Sequence, residues 1–178
     1  MITAVVVGTG PWAENHIRAY LRCREVRLVG LCEPKDAAAR LDELAQRYGI
    51  AATSLDLQEL LARIKPDMLD IACNPHFRLE GVRAALGSSV KLVNLEKPMA
   101  LSPADGYEIE RLCREHGLLL TVNHQKKFLP GWRDVKDAIA AGTIGPIEFM
   151  RATCQGNLLE QGTHLVDMAL YYNSYCPL

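Results

Sequence analysis

A doubly wound α/β fold, with helices on both faces of a parallel sheet, is the class this sequence predicts. Three observations carry the prediction. Short β-branched runs alternate with longer amphipathic segments over residues 2–122. The runs are apolar at nearly every position, as strands covered on both faces must be. A glycine-rich turn joins the first run to the first amphipathic segment.

The strand candidates are "ITAVVV" (2–7), "VRLVGLC" (26–32), "MLDIAC" (68–73), "VKLVNL" (90–95) and "GLLLTVN" (117–123), with a weaker one near 50–53. Helical spacing fills 12–24, 35–48, 55–64, 77–87 and 103–116. Leu41, Leu44, Ala45 and Tyr48 make one apolar face, and Leu79, Val82 and Leu86 make another. Ser102 is an N-cap followed by proline at the first helical position, and Gly117 sits where that helix should stop. Six strands suit a doubly wound sheet. After Asn123 the rhythm changes: "PGWRDVKDAIAAGTIG" predicts a helix with a glycine stop, "PIEFMRATC" a strand, and "EQGTHLVDMALYY" a further helix. One strand between two helices makes a poor domain alone. Residues 123–178 are therefore read as the incomplete opening of a second α/β domain, after a first domain at 1–122.

Composition narrows the function classes. At 178 residues and 49% apolar, the chain holds one full globular domain with room for part of another. Lysine plus arginine number 20 against 21 acids, so no basic excess points to nucleic acid or to an anionic membrane. No apolar run approaches the ~20 residues of a membrane helix. "MITAVVVGTG" lacks a basic leader and reads as a first strand. Cys23, Cys32, Cys73, Cys113, Cys154 and Cys176 form no C-x-x-C pair. That usage suits buried thiols in a reducing compartment, so the cytoplasm is the expected location.

"VVVGTGPWA" places Gly8, Gly10 and Ala13 at G-x-G-x-x-A spacing between a strand and a helix. The first glycine permits the tight turn, the second lets backbone approach a pyrophosphate, and the small third residue lets helix and strand pack closely. The helix N-terminus adds N–H donors and partial positive charge. Glu33 ends the second strand 23 residues after Gly10, placed to accept hydrogen bonds from a ribose 2′- and 3′-hydroxyl. A carboxylate there disfavours a 2′-phosphate, so NAD is preferred, while Lys35 and Arg40 keep NADP open. A purely structural glycine turn is the bland alternative.

In an open parallel sheet, ligands bind outside the carboxyl ends of the strands. Glu96 and Lys97 follow the strand at 90–95, and Asn74, Pro75 and His76 follow the one at 68–73, so both groups belong on that rim. Pro98 fixes the backbone after Lys97, a cis bond being one way to aim the lysine. The ammonium there is either half of a solvated Glu–Lys pair or a group that binds a substrate hydroxyl and stabilises developing alkoxide charge. His76 either touches the nicotinamide ribose or caps the helix that follows. Trp12 and Trp132 are read as packing residues, and Lys126 and Lys127 as a solvated pair.

Together, the strand-end "EKP", the "GTG" loop, the "NPHF" turn and "GTHLVDMALYY" resemble the glucose–fructose oxidoreductase / inositol dehydrogenase (Gfo/Idh/MocA) family. The similarity runs from residue 2 to about 173, and "AGTIGPIEFMRA" looks like the family's entry into its second domain. The resemblance implies a Rossmann-type NAD(P)-binding domain at 1–122 and part of a substrate and oligomerisation domain at 123–178. It also implies hydride transfer between nicotinamide and a secondary alcohol of a sugar or polyol, by proteins that are homo-oligomeric at full length. Lys97 would sit near nicotinamide and substrate. The family's G-x-H-x-x-D helix maps to Gly162, His164 and Asp167, with His164 exchanging the hydroxyl proton and Asp167 a structural acceptor. Four residues before the histidine, where the dehydrogenases usually carry aspartate, this chain has Glu160, one turn from His164 on a helix.

Other classes lack their signatures. No tyrosine is followed four positions later by lysine, as a short-chain dehydrogenase requires, and no G-x-x-x-x-G-K-[ST] is present. No two histidines share a helix face at metal-ligand spacing, so no metal is expected. The competing reading is a truncated, inactive protein that binds the dinucleotide without turnover. In that case the apolar sides of "IEFMRA" and "HLVDMALYY" would face water.

Overall fold

Successive side chains of a strand point to opposite faces, and the first apolar run uses both. In strand β1 (Ile2–Val7), Val5 and Val7 enter one helix-covered layer and Val6 enters the other. The computed structural model describes residues 1–34 and 37–176, so Lys35 lies outside the described residues. The chain divides into two compact units, Met1–Val122 and Asn123–Leu178.

The first unit is built on a six-stranded parallel sheet of order β3-β2-β1-β4-β5-β6. Its other strands are β2 (Val26–Cys32), β3 (Ala52–Ser54), β4 (Met68–Ile71), β5 (Leu92–Glu96) and β6 (Leu119–Asn123). The chain winds outward from β1 through β2 to β3, returns to β4 on the other side of β1, and winds outward again. The carboxyl ends of β1 and β4 therefore flank the switch point where such sheets hold ligands. Helices α1 (Pro11–Tyr20) and α2 (Ala38–Tyr48) cover one face through Ala13, Ile17, Leu41 and Leu44. The other face is covered by α3 (Leu57–Ile64), α4 (Arg78–Ala85) and α5 (Pro103–Glu115), through Leu60, Val82 and Ile109.

The local signals act as their chemistry requires. The Ser102 hydroxyl accepts from the Asp105 N–H at 3.1 Å, Pro103 occupies the first turn of α5, and Gly117 adopts φ +67 after it. Asp56 caps α3 in the same way through the Glu59 N–H. The first helix stops at Tyr20, earlier than the 12–24 span suggests.

The second unit contains α6 (Pro130–Ala140), α7 (Thr163–Tyr172), a 3-10 turn at Gln125–Phe128 and a π turn at Leu158–Gly162. The strand expected from "PIEFMRATC" is a correction: residues 147–154 have no regular secondary structure, and Phe149 is 82% exposed. A strand satisfies its backbone through a neighbour, and among the described residues of this unit there is no second strand to pair with. The expectation of a solvated Lys126–Lys127 pair also needs correction. The Lys127 ammonium lies 3.0 Å from Asp167 Oδ1 and 2.9 Å from the Tyr175 hydroxyl, tying the 3-10 turn to α7.

Candidate cofactor and active site

The G-x-G-x-x-A turn folds against the end of β4. Gly8 adopts φ +117, a conformation costly for any residue with a Cβ, and a Cβ there would lie 3.0 Å from the Cys73 backbone nitrogen. Gly10 caps α1, and a Cβ on it would meet nothing within 4 Å. The second glycine thus leaves open space over the helix N-terminus. Pro11 has no N–H, so the donors offered by the first turn are those of Trp12 and Ala13. Ala13 is fully buried beneath the loop, where its small side chain permits close packing on β1.

A cleft of about 400 Å³ opens above this turn, and Gly10, Glu33, Asn74, Glu96 and Lys97 all line it. They come from the carboxyl ends of β1, β2, β4 and β5. Glu33 is largely buried and accepts from the Thr9 hydroxyl at 2.8 Å, which fixes the carboxylate at the end of β2. Asn74 accepts from the His76 N–H at 3.0 Å, so asparagine, and not His76, caps the turn at Pro75–Phe77. His76 is exposed on that turn, beside the cleft and not among its lining residues. Trp12, expected as packing, is an exposed wall of the cleft. The Lys97–Pro98 bond is cis.

Beneath the cleft lies a buried polar network that reading along the chain did not reveal. His16 on α1 is 9% exposed, Asp70 on β4 is 0% and Glu96 is 5%. The imidazole places Nδ1 2.7 Å from Asp70 Oδ2 and Nε2 3.0 Å from Glu96 Oε1. Burial by itself lowers the imidazole pKa, but the hydrogen bonds and charges of Asp70 and Glu96 outweigh it and push His16 up to about 9. The second Glu96 oxygen accepts from the Lys97 backbone N–H at 3.0 Å. Asn94 donates to Asp70 Oδ1 at 2.7 Å. Arg78 donates to the backbone carbonyls of Glu96, Cys73 and Lys97, and burial holds its pKa down to about 10. One signal was available: an aspartate at the centre of an otherwise apolar strand, "MLDI", needs a buried partner.

In the second unit, His164 on α7 is buried, and its ring meets that of His124 edge-on at 5.5 Å. Gly162 precedes it where a Cβ would collide with Leu158 at 2.6 Å. Glu160 lies in the π turn, capped through its N–H by Asn157 Oδ1 at 2.9 Å. The two residues differ in setting, since Glu160 is exposed to solvent while His164 is enclosed.

A profile of the Gfo/Idh/MocA family, an oxidoreductase family with an NAD-binding Rossmann fold, matches residues 2–124. The chain belongs to this family. Among curated relatives of this Gfo/Idh/MocA oxidoreductase, D-glucoside 3-dehydrogenase of Escherichia coli is 24% identical over 190 residues, covering 96% of this chain and 53% of that protein. The 4-carboxy-2-hydroxymuconate-6-semialdehyde dehydrogenase of a Sphingobium species is 30% identical over 139 residues, covering 78% of this chain and 43% of that protein. The solved structure of scyllo-inositol dehydrogenase from Lactobacillus casei with bound NAD(H) and scyllo-inositol is similar at a TM-score of 0.86 and 19% identity, covering 97% of this chain and 56% of that one. At that identity the likeness concerns the fold. The chain spans about half the length of the curated relatives it matches.

The residues present fit a dinucleotide. The open space over Gly10 admits a pyrophosphate to the helix N-terminus, and Glu33 presents a fixed carboxylate at the end of β2.

Proposed function

We propose that residues 1–122 bind NAD in preference to NADP, and that residues 123–178 contribute to a substrate and oligomerisation domain. The reaction is interconversion of a secondary alcohol and a ketone on a sugar or polyol. One observation carries the cofactor reading: the cleft at the switch point joins an uncovered helix N-terminus to a buried carboxylate at the end of β2. Gly8, Gly10 and Ala13 shape the pyrophosphate seat, Glu33 receives the adenosine ribose, and Asn74, His76 and Glu96 border the nicotinamide end. Arg40 supports NAD over NADP, because Glu14 at 2.7 Å and Glu43 at 2.6 Å already engage its guanidinium. The cofactor, when bound, exchanges a hydride with the carbinol carbon. Lys97 would orient the reacting hydroxyl and stabilise charge on its oxygen. His164 would take the hydroxyl proton as a general base, with Glu160 assisting at the substrate.

The spacing of the six cysteines, with no C-x-x-C pair, suits a reducing compartment such as the cytoplasm. Among the described residues, no helix is long and apolar enough to cross a membrane.

The deciding experiment is calorimetric titration of the chain with NADH, with NADPH as the control, followed by a screen of sugars and polyols for turnover. Saturable NADH binding with turnover supports the full reading. Binding without turnover on any of them favours a dinucleotide-binding protein instead. No binding by folded protein overturns the cofactor assignment. Two substitutions sharpen it. Glu33→Ala should weaken NADH by about tenfold, roughly one well-made hydrogen-bonding interaction to a charged group, and NADPH by less; an unchanged ratio removes Glu33 from the ribose site. Lys97→Ala should lower turnover by about 10²-fold or more while NADH affinity changes little. Equal losses in both would show that the lysine holds cofactor and does not act on substrate.

A further inference from the structure

We propose that His16, as an imidazolium bridging Asp70 and Glu96, is the positioning residue that sets the backbone of Lys97 at the mouth of the cleft. The proposal rests on the cofactor reading above only for its functional consequence; its structural content stands on the network itself.

The geometry demands two donors. Both ring nitrogens lie within hydrogen-bond distance of carboxylate oxygens, at 2.7 Å and 3.0 Å. A neutral imidazole carries one N–H, so one nitrogen would present a lone pair to a carboxylate. The imidazolium donates to both. Burial sharpens the requirement, because two carboxylates shielded from water need matching positive charge. His16 as a cation and the Arg78 guanidinium balance Asp70 and Glu96. The ionisable groups around the ring fit the same account. Tyr20, on the same helix, is held neutral first by burial and then by the Asp70 charge, which together raise its pKa. From β4 and the turn after it come Asp70 and Cys73, from β5 Glu96, from α4 Arg78, and beyond β5 Lys97.

Glu96 then works as a two-ended link. Oε1 faces His16 and Oε2 accepts the Lys97 N–H. With the proton on His16, the carboxylate is held against the ring and its other oxygen fixes the first peptide after β5. When one proton leaves, the ring keeps a single N–H for two carboxylates, and its hold on Glu96 weakens. A weaker hold on Oε1 lets the carboxylate shift, and the Lys97 N–H moves with its acceptor Oε2. His16 touches neither substrate nor cofactor in this account; it acts through Glu96.

The test uses the full chain labelled with [15N]lysine and ring-labelled histidine, followed by NMR from pH 6 to 10.5. The Lys97 amide is assigned by its loss in Lys97→Arg. The His16 ring and the Lys97 amide should titrate together, with one midpoint near pH 9. In His16→Gln the amide should not move through that window. On the same samples, NADH affinity should fall by about tenfold above the midpoint in the wild type and be pH-independent, at the weaker value, in His16→Gln. A Lys97 amide that stays still while the His16 ring titrates overturns the proposal, whether or not the variant folds, because the wild-type spectra decide it alone. Failure of the wild type to bind NADH overturns the cofactor reading, and the cofactor-free spectra still decide the role of His16.

Discussion

Replacing Asp70 with alanine is expected to destabilise the first unit by about 3–5 kcal/mol, the cost of breaking a buried, hydrogen-bonded ion pair from one side. The substitution strands the buried Nδ1 donor of His16 and removes the acceptor of the half-buried Asn94 amide. The loss should depend on pH in a defined direction. His16 has a folded pKa raised from 6.5 to about 9, a displacement worth on the order of 3 kcal/mol. A raised folded pKa means that this stability is fully present below about pH 6.5 and lost as pH climbs through about 9. The gap between wild type and Asp70→Ala should therefore be widest near pH 6 and narrow towards pH 9.5. Cys32, whose thiol is pushed up to about 12 by burial and then by the Glu33 charge, also lowers stability above pH 9, but it does so equally in both proteins and cancels in the difference. Urea unfolding at pH 6, 8 and 9.5 measures it. A gap that stays constant across those values would mean that His16 does not change its charge within the pair.

The second large effect belongs to Gly8. Gly8→Ala should cost about 2–4 kcal/mol in stability, combining backbone strain at φ +117 with crowding against Cys73. The neighbours have little room to yield. The Gly8 N–H is fixed to the Cys32 carbonyl at 2.8 Å, and the Ala72 N–H to the Val7 carbonyl at 2.9 Å. Relief must come from the loop itself, which moves the amides that would face a pyrophosphate. NADH affinity should fall more than tenfold, about 1.4 kcal/mol or greater. Denaturant unfolding and calorimetry read the two losses separately. A variant as stable as the wild type that binds NADH equally well would show that the turn is not the phosphate seat.

Much of the fold could be read along the chain because its signals are local. The alternation of Val5, Val6 and Val7, the spacing of Leu41 and Leu44, and the Ser102 cap each act within a few residues. The strand expected at 146–154 failed for the opposite reason. Its β-branched and aromatic residues describe a preference, and a preference becomes a strand only when another chain segment supplies the ladder. The site divides in the same way. The glycine spacing is visible because it falls within one turn, and Glu33 because it directly follows the apolar run of β2. His16 is separated from Asp70 by 54 residues and from Glu96 by 80, so in sequence it is one more residue on the buried side of a helix, next to Ala13 and Ile17. Lys127 and Asp167 are likewise 40 residues apart, and "KK" alone looks solvated.

Arg78 gives the rim of the cleft a mechanical property. One guanidinium clasps carbonyls from Cys73 just after β4, from Glu96 at the end of β5 and from Lys97 just beyond it, so the two strand ends are fastened to a common post. The post keeps its charge up to about pH 10, above the midpoint at which the His16 fastener opens. Mild alkali should thus loosen the Glu96 side chain while the loop backbones keep their mutual spacing. The cleft would lose its aim before it loses its shape.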